Sequence, residues 1–393
     1  MNNRYYSLDV FRGATVALMI LVNNPGSWSH IFTPLEHASW HGCTPTDLVF
    51  PFFLFAVGNA MSFVMPKFEQ KGNSFFLKKI VKRTLLIFLI GLFLNWSPFV
   101  RYDQTGNLIL KGWEWTTAKG TITGIRVMGV LQRIALCYFF ASLIVYYFKQ
   151  KGAYLVSCIL LLIYWIITLL LGNSTDPYSL QGFFGTQVDI NLFGEAHVYY
   201  GEGVAFDPEG LVSTTTAIVQ VVLGYFVGAY IQQKGKTFEM LSNLFVAAIV
   251  LMAAGYCWDM VFPINKKIWT SSYVLYTTGL AMAVLGVLIY LIEFNGKKGV
   301  WSKFFDVFGK NPLFIFVISG FLPRLLGLIR INNGTKSDGS IIYTSPFGWF
   351  YEHICKNISA DLRVGSLVYA IIMIIFYWSI VYWMDKKKIY VKV

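Results

Sequence analysis

Residues 35–55, LEHASWHGCTPTDLVFPFFLF, change character halfway along. Up to Asp47 the stretch is polar and holds His37 and His41; beyond it the run is apolar enough for the middle of a bilayer. Thr44 is positioned as an N-cap, Pro45 suits the first helical position and Asp47 falls at the third, a capping-box arrangement. The stretch therefore opens a membrane helix. A plain anchor has no use for two histidines and a carboxylate at its mouth, so this end of the helix is a candidate site.

The rest of the chain shows the same pattern. Of its 393 residues, 56% are hydrophobic and only 13% charged, against about 25% charged in soluble domains. A helix needs roughly 20 apolar residues to cross the hydrocarbon core. Ten such segments are expected, at 7–24, 45–65, 76–96, 126–148, 153–172, 211–232, 238–258, 270–293, 308–329 and 364–385. The fold expected is all-α: a polytopic membrane protein, one transmembrane domain over 1–393, built as a bundle of about ten helices.

Lysine and arginine set the orientation. The second-to-third connection carries Lys67, Lys71, Lys78, Lys79, Lys82 and Arg83. Alternate later connections carry Lys149 and Lys151, Lys234 and Lys236, then Lys297, Lys298 and Lys303, and the tail adds Lys386, Lys387, Lys388 and Lys392. Segments 25–44 and 173–210 contain neither residue. Both termini are thus expected in the cytoplasm, with 97–125 and 330–363 as exterior segments that break the charge pattern. The net charge of +12 belongs to this segregation, not to nucleic-acid binding. Arg4, Asp9 and Arg12 precede the first apolar run and no small-residue cleavage site comes after it, so no cleaved signal peptide is expected. Cys43 and Cys355 both fall in exterior segments and are the one candidate disulfide.

Polar residues at membrane depth mark cavities or partners. In the first segment the uninterrupted apolar run, Ala14–Val22, is too short to span at 1.5 Å per residue. Either Asp9 and Arg12 or Asn23 and Asn24 therefore sit within the membrane. Asp9 and Arg12 can pair at i,i+3, and Asn23 can cap its helix. Gln132 and Arg133 lie inside the fourth segment; a buried Arg needs an acidic partner or an anionic ligand. Asp207 and Glu209 open the sixth helix, where capping competes with a site role. Lys310 begins the ninth, as a phosphate contact or a snorkelling side chain. His37 and His41 can bind a metal in principle, but Cys43 and Glu36 complete no zinc pattern, and no metal is expected. No phosphate-cradling GxxxxGK[ST], GxSxG or HExxH motif occurs.

The blocks SLDVFRG (7–13), LVNNPG (21–26), HASWHGCTPTDLVFPFFLF (37–55), GVLQRIALCYF (129–139), FDPEGLVSTTTAIV (206–219) and NKKIWTSSYVL (265–275) together resemble the heparan-α-glucosaminide N-acetyltransferase family. The resemblance covers essentially the whole chain, in order. It implies transfer of an acetyl group from cytoplasmic acetyl-CoA to an amino sugar or other glycan on the exterior face. The chain looks like a ten-helix bacterial version, without the lumenal region and extra first helix of the animal lysosomal enzyme. That implies the inner membrane of a bacterium.

By this resemblance His37 matches the proposed catalytic histidine, Asn23 its associated asparagine and Arg133 the arginine of the LQR block. Arg12, Arg133 and Lys310 are then the expected contacts to CoA phosphate, with Asp47, His41, Asp9, Gln132, Asp207 and Glu209 as further candidates. His37 can act as a base toward the acceptor near neutral pH, the preferred route, or attack the thioester itself. The other partners expected are the lipid bilayer and, as a candidate assembly, a second copy of the chain. A transporter of a small polar solute is the rival reading.

Overall fold

The computed structural model describes residues 5–103, 105–117, 120–335, 337 and 339–391. Arg4 and Lys392 lie outside these described residues. The helices are α1 (Tyr6–Asn23), α2 (Val49–Ser62), α3 (Met65–Lys71), α4 (Asn73–Trp96), α5 (Val130–Leu171), α6 (Gly185–Phe193) and α7 (Leu211–Lys234). They continue as α8 (Phe238–Asp259), α9 (Ser271–Ile289), α10 (Val300–Lys310), α11 (Pro312–Leu326), α12 (Pro346–His353) and α13 (Leu362–Lys386). A 3-10 turn, Pro45–Leu48, leads into α2. Three short antiparallel hairpins occupy the two connections that break the charge pattern: Val100–Tyr102 with Leu108–Leu110, Glu114–Thr116 with Ile122–Gly124, and Ile331–Thr335 with Ile341–Thr344.

Among the described residues six helices are long and apolar enough to cross a membrane alone, and two bent pairs raise this to eight. The pairs are Pro45–Ser62 with Met65–Lys71, bent by 43°, and α10 with α11, bent by 78°. The count falls two short of the ten expected segments for two reasons. The fourth and fifth are merged in α5, 42 residues long, which breaks at Lys149 where φ is 54°. Near that break Lys149 pairs with Glu69 at 2.9 Å and Tyr147 donates to Asn73 at 2.6 Å. At the far ends of the two halves, Arg133 donates to Gly210 and Tyr164 to the Ile268 carbonyl, so the halves return antiparallel. The third segment is α4, whose first half carries Lys78, Lys79, Lys82 and Arg83. The charge pattern alone assigns these four to a connection; they sit instead in the helix, where the lysines are exposed and only Arg83 is half-buried. The protein is a polytopic helical membrane protein.

Two close helix contacts bring the polar ends of these helices together. A Cβ on Gly58 of α2 would lie 2.0 Å from the Val221 carbonyl oxygen of α7, so only glycine lets these backbones meet. A Cβ on Gly13 of α1 would lie 1.7 Å from the Phe305 carbonyl oxygen of α10. The first contact carries the start of α2 beside the start of α7. The second carries Arg12 beside the end of α10. All five cysteines are free thiols. Cys43 and Cys355 do not pair, because they pack in separate apolar clusters.

Candidate active site

Asp47 organises the N-terminal end of α2. Its Oδ2 accepts the backbone N–H groups of Thr44 and Ala38 and the Thr44 hydroxyl, each at 3.0 Å. Its Oδ1 lies 2.6 Å from Nδ1 of His37 and 3.5 Å from Nζ of Lys266. One carboxylate thus caps the helix turn and holds the histidine. An ionised carboxylate only accepts, so Nδ1 must be the protonated ring nitrogen. Lys266 Nζ is 3.1 Å from the same Nδ1. Two donors cannot bond each other, so the lysine balances the charge of Asp47. Nε2 of His37 has no protein partner among the described residues.

Three cavities that share lining residues lie in series, and His37 lines two of them. The middle one, about 160 Å³, is lined by His37, Asn23, Thr46, Glu209, Lys266 and apolar side chains including Phe53, Ile134 and Phe316. His37, Glu209 and Lys266 also line the outer cavity, about 260 Å³, with Trp40, Tyr199, Glu202, Arg126 and Trp269. Phe53, Ile134 and Phe316 also line the third, about 380 Å³, where Arg12, Arg83 and Lys310 supply positive charge. The series runs from a cationic cavity, past His37 and Asn23 in the middle one, to an aromatic cavity lined by both carboxylates and cations.

Local sequence explains which side chains face this path. Asn24 turns its amide back onto the Ile20 carbonyl at 2.9 Å, leaving Asn23 at the end of α1 to line the cavity. Thr46 is 1% exposed and its hydroxyl has no hydrogen-bond partner among the described residues. Burial lowers the pKa of the Lys266 ammonium, against the charges of Asp47 and Glu209. Sequence reasoning misses both Lys266 and Thr46. A signal for Lys266 exists: Lys266 and Lys267 are paired cations in a connection that the alternation of basic loops would leave poor in them.

The other candidates divide between the inner cavity and the helix packing. Arg12 bonds Asp9 at 3.4 Å and the Gly309 carbonyl at 3.2 Å while lining the inner cavity. Lys310, also lining it, pairs with Asp306 at 2.8 Å and Asp385 at 3.0 Å. Arg133 does not line any of the three cavities. It is fully buried, donates to the Gly210 carbonyl at 3.1 Å and to Ser213, and lies 5.1 Å from the Trp269 ring centre. Gln132 is buried beside Gly91 and Gly129. Asp207 and Glu209 both clasp Arg126, with Nε donating to Asp207 at 2.9 Å. The N–H of Leu211 that opens α7 is capped by neither; it donates to Asp189 at 2.9 Å. Burial pushes the Asp189 carboxyl up to about 7.

His41 sits apart from the dyad, its Nδ1 3.3 Å from the Asn265 amide, and burial lowers its pKa. His197 bridges the Ile125 carbonyl and Glu114, His30 faces Ser27, and His353 stacks on Trp349. Among the described residues no group of three or more His, Cys, Asp or Glu side chains converges as a metal-ligand set.

No family model matches the chain. Among curated proteins, the heparan-alpha-glucosaminide N-acetyltransferase of Homo sapiens is 27% identical over 444 aligned positions, covering 97% of this chain and 60% of that protein. That of Mus musculus is 26% identical over 441 positions, covering 96% and 61%. The chain thus spans about three fifths of the length of the curated relatives it matches. The motifs from SLDVFRG to NKKIWTSSYVL lie within a similarity that runs nearly end to end, and this chain is a relative of the heparan-α-glucosaminide N-acetyltransferases.

Proposed function

We propose that the protein is a membrane-embedded acetyltransferase that takes the acetyl group of acetyl-CoA at the cationic cavity and delivers it to a glycan amine or hydroxyl in the aromatic one. The observation that carries this reading is the middle cavity: His37 and Asn23 line it, and it shares lining residues with both the cationic and the aromatic cavity, with His37 held by Asp47. Arg12 and Lys310 stand where they would meet phosphate of the donor. The thioester arm would pass Phe53, Ile134 and Phe316 to reach the middle cavity. Trp40 and Tyr199 offer ring surface to a sugar, and Glu202 and Glu209 offer acceptors for its hydroxyl or ammonium groups.

In the mechanism this geometry supports, Nε2 of His37 removes a proton from the attacking nitrogen or oxygen of the acceptor. That atom bonds to the thioester carbonyl carbon, and the carbonyl oxygen becomes an oxyanion. The amide of Asn23 and the hydroxyl of Thr46 are donors within the same cavity for that charge. Collapse breaks the carbon–sulfur bond, and the CoA thiolate takes the proton from Nε2. Asp47 keeps Nδ1 protonated throughout and stabilises the imidazolium that forms.

The charge segregation supports an orientation with both termini cytoplasmic and His37 at the exterior end, and the resemblance to a ten-helix bacterial version supports the plasma membrane of a bacterium. Cavities in series would equally suit a transporter of a small polar solute; a histidine–carboxylate pair at their junction favours chemistry. Incubation of the purified chain with labelled acetyl-CoA and glucosamine-terminated oligosaccharides, read by mass spectrometry, tests the reading. Label on the sugar is expected. Stable acetyl-CoA with every acceptor, alongside uptake of a solute by proteoliposomes, would replace it with the transporter.

A further inference from the structure

The buried positions of α4 are Phe76, Ile80, Ile87, Gly91 and Leu94. Their spacing of three, four and seven marks one face of a helix, and residue 83 falls within that face. An arginine stands where the pattern calls for an apolar side chain, while Lys78, Lys79 and Lys82 point outward and are exposed.

Arg83 lines the inner cavity, with its guanidinium 4.7 Å from the Tyr138 ring centre. Its Nε is buried and has no hydrogen-bond partner among the described residues. The other two cations of that cavity are already engaged: Arg12 by Asp9 and the Gly309 carbonyl, and Lys310 by Asp306 and Asp385. Among the described residues no carboxylate pairs with Arg83. A guanidinium stacked on a tyrosine keeps its N–H edges available, and their planar fork matches phosphate oxygens two at a time.

We infer that Arg83 anchors a phosphate of the acyl donor, so that the protein selects a phosphate-bearing thioester over the same thioester without its nucleotide. This rests on the proposal that the inner cavity takes the donor. The same fork would suit the phosphate of a lipid headgroup, and the donor comparison separates the two sources.

The test measures kcat/KM for acetyl-CoA and for acetyl-pantetheine, which has the same acyl arm and no phosphate, in the purified wild type, Arg83→Gln and Arg83→Lys. Charge-assisted hydrogen bonds of this kind predict that Arg83→Gln lowers the ratio of the two values about 10- to 100-fold. Arg83→Lys, which keeps the charge but not the fork, should recover part of it and keeps the test decisive should the glutamine variant not fold. An equal loss with both donors would assign Arg83 to a lipid phosphate or to the fold and overturn the inference. A wild type that binds no CoA by calorimetry and uses neither donor would overturn the donor reading itself, and the inference with it. CoA binding equally tight in wild type and Arg83→Gln would overturn the inference alone.

Discussion

Nδ1 of His37 lies 2.6 Å from Oδ1 of Asp47, and the two side chains differ sharply in exposure: 42% for the imidazole against 2% for the carboxylate. A buried acceptor thus holds one nitrogen of an exposed ring, which presents its other nitrogen outward. The arrangement costs the fold little, because the same carboxylate also receives the N–H groups of Thr44 and Ala38. This division of labour gives each residue around the ring a distinct expected phenotype.

Asp47→Asn tests the orientation of the ring. The amide keeps the shape and can still accept hydrogen bonds, but it no longer demands a proton on Nδ1 and cannot stabilise an imidazolium. Turnover should fall by about 10²- to 10⁴-fold with little change in KM for acetyl-CoA. Turnover within a few-fold of wild type would reduce Asp47 to a helix cap.

Asn23→Ala should lower kcat by about 10²- to 10³-fold, the usual loss for one oxyanion donor. Asn24→Ala is the control: its amide serves the Ile20 carbonyl, so thermal stability should drop while turnover is nearly kept. Equal turnover losses in the two variants would show that only the helix end matters.

Much of this site is legible in the sequence, because it is built from local pattern. Thr44, Pro45 and Asp47 announce a helix start within four residues, and the histidines stand next to it. The apolar runs also locate the spans, including both halves of α5, whose break at Lys149 falls among the basic residues between them. Contacts across the chain are not legible. Arg133 is expected to face a donor phosphate, yet it meets Gly210 and Ser213 because the α5 hairpin returns against α7. Asp207 and Glu209 look like the caps of α7 from their position alone. They bind Arg126 instead, and the capping oxygen comes from Asp189, 22 residues before Leu211. Arg83 reads as one loop charge among several, though its place on the buried stripe of α4 is encoded in the spacing of its apolar neighbours.

Asp189 gives the pH dependence a sign. Burial holds its carboxyl at about 7 in the folded chain, so the folded state keeps a proton that the unfolded state releases near pH 4. Stability from this group is present at low pH and is lost as pH rises through about 4 to 7. The shift corresponds to a contribution on the order of 4 kcal/mol. Asp189→Asn retains an oxygen for the Leu211 N–H and never ionises. Its melting temperature should therefore gain on that of the wild type between about pH 4 and pH 7. Parallel melting curves across that range would contradict the protonated state.

The central claim is that acetyl transfer depends on His37 and not on histidines at this end in general. His41, four residues later and bonded to Asn265, is the internal comparison. Single-turnover assays with radiolabelled acetyl-CoA and a glucosamine acceptor, run on His37→Ala and His41→Ala, measure it most directly. Loss of transfer in His37→Ala, with CoA binding intact by calorimetry and transfer in His41→Ala within a few-fold of wild type, is the predicted result. Near-normal transfer by His37→Ala would contradict the account, even in a protein that proved to be an acetyltransferase.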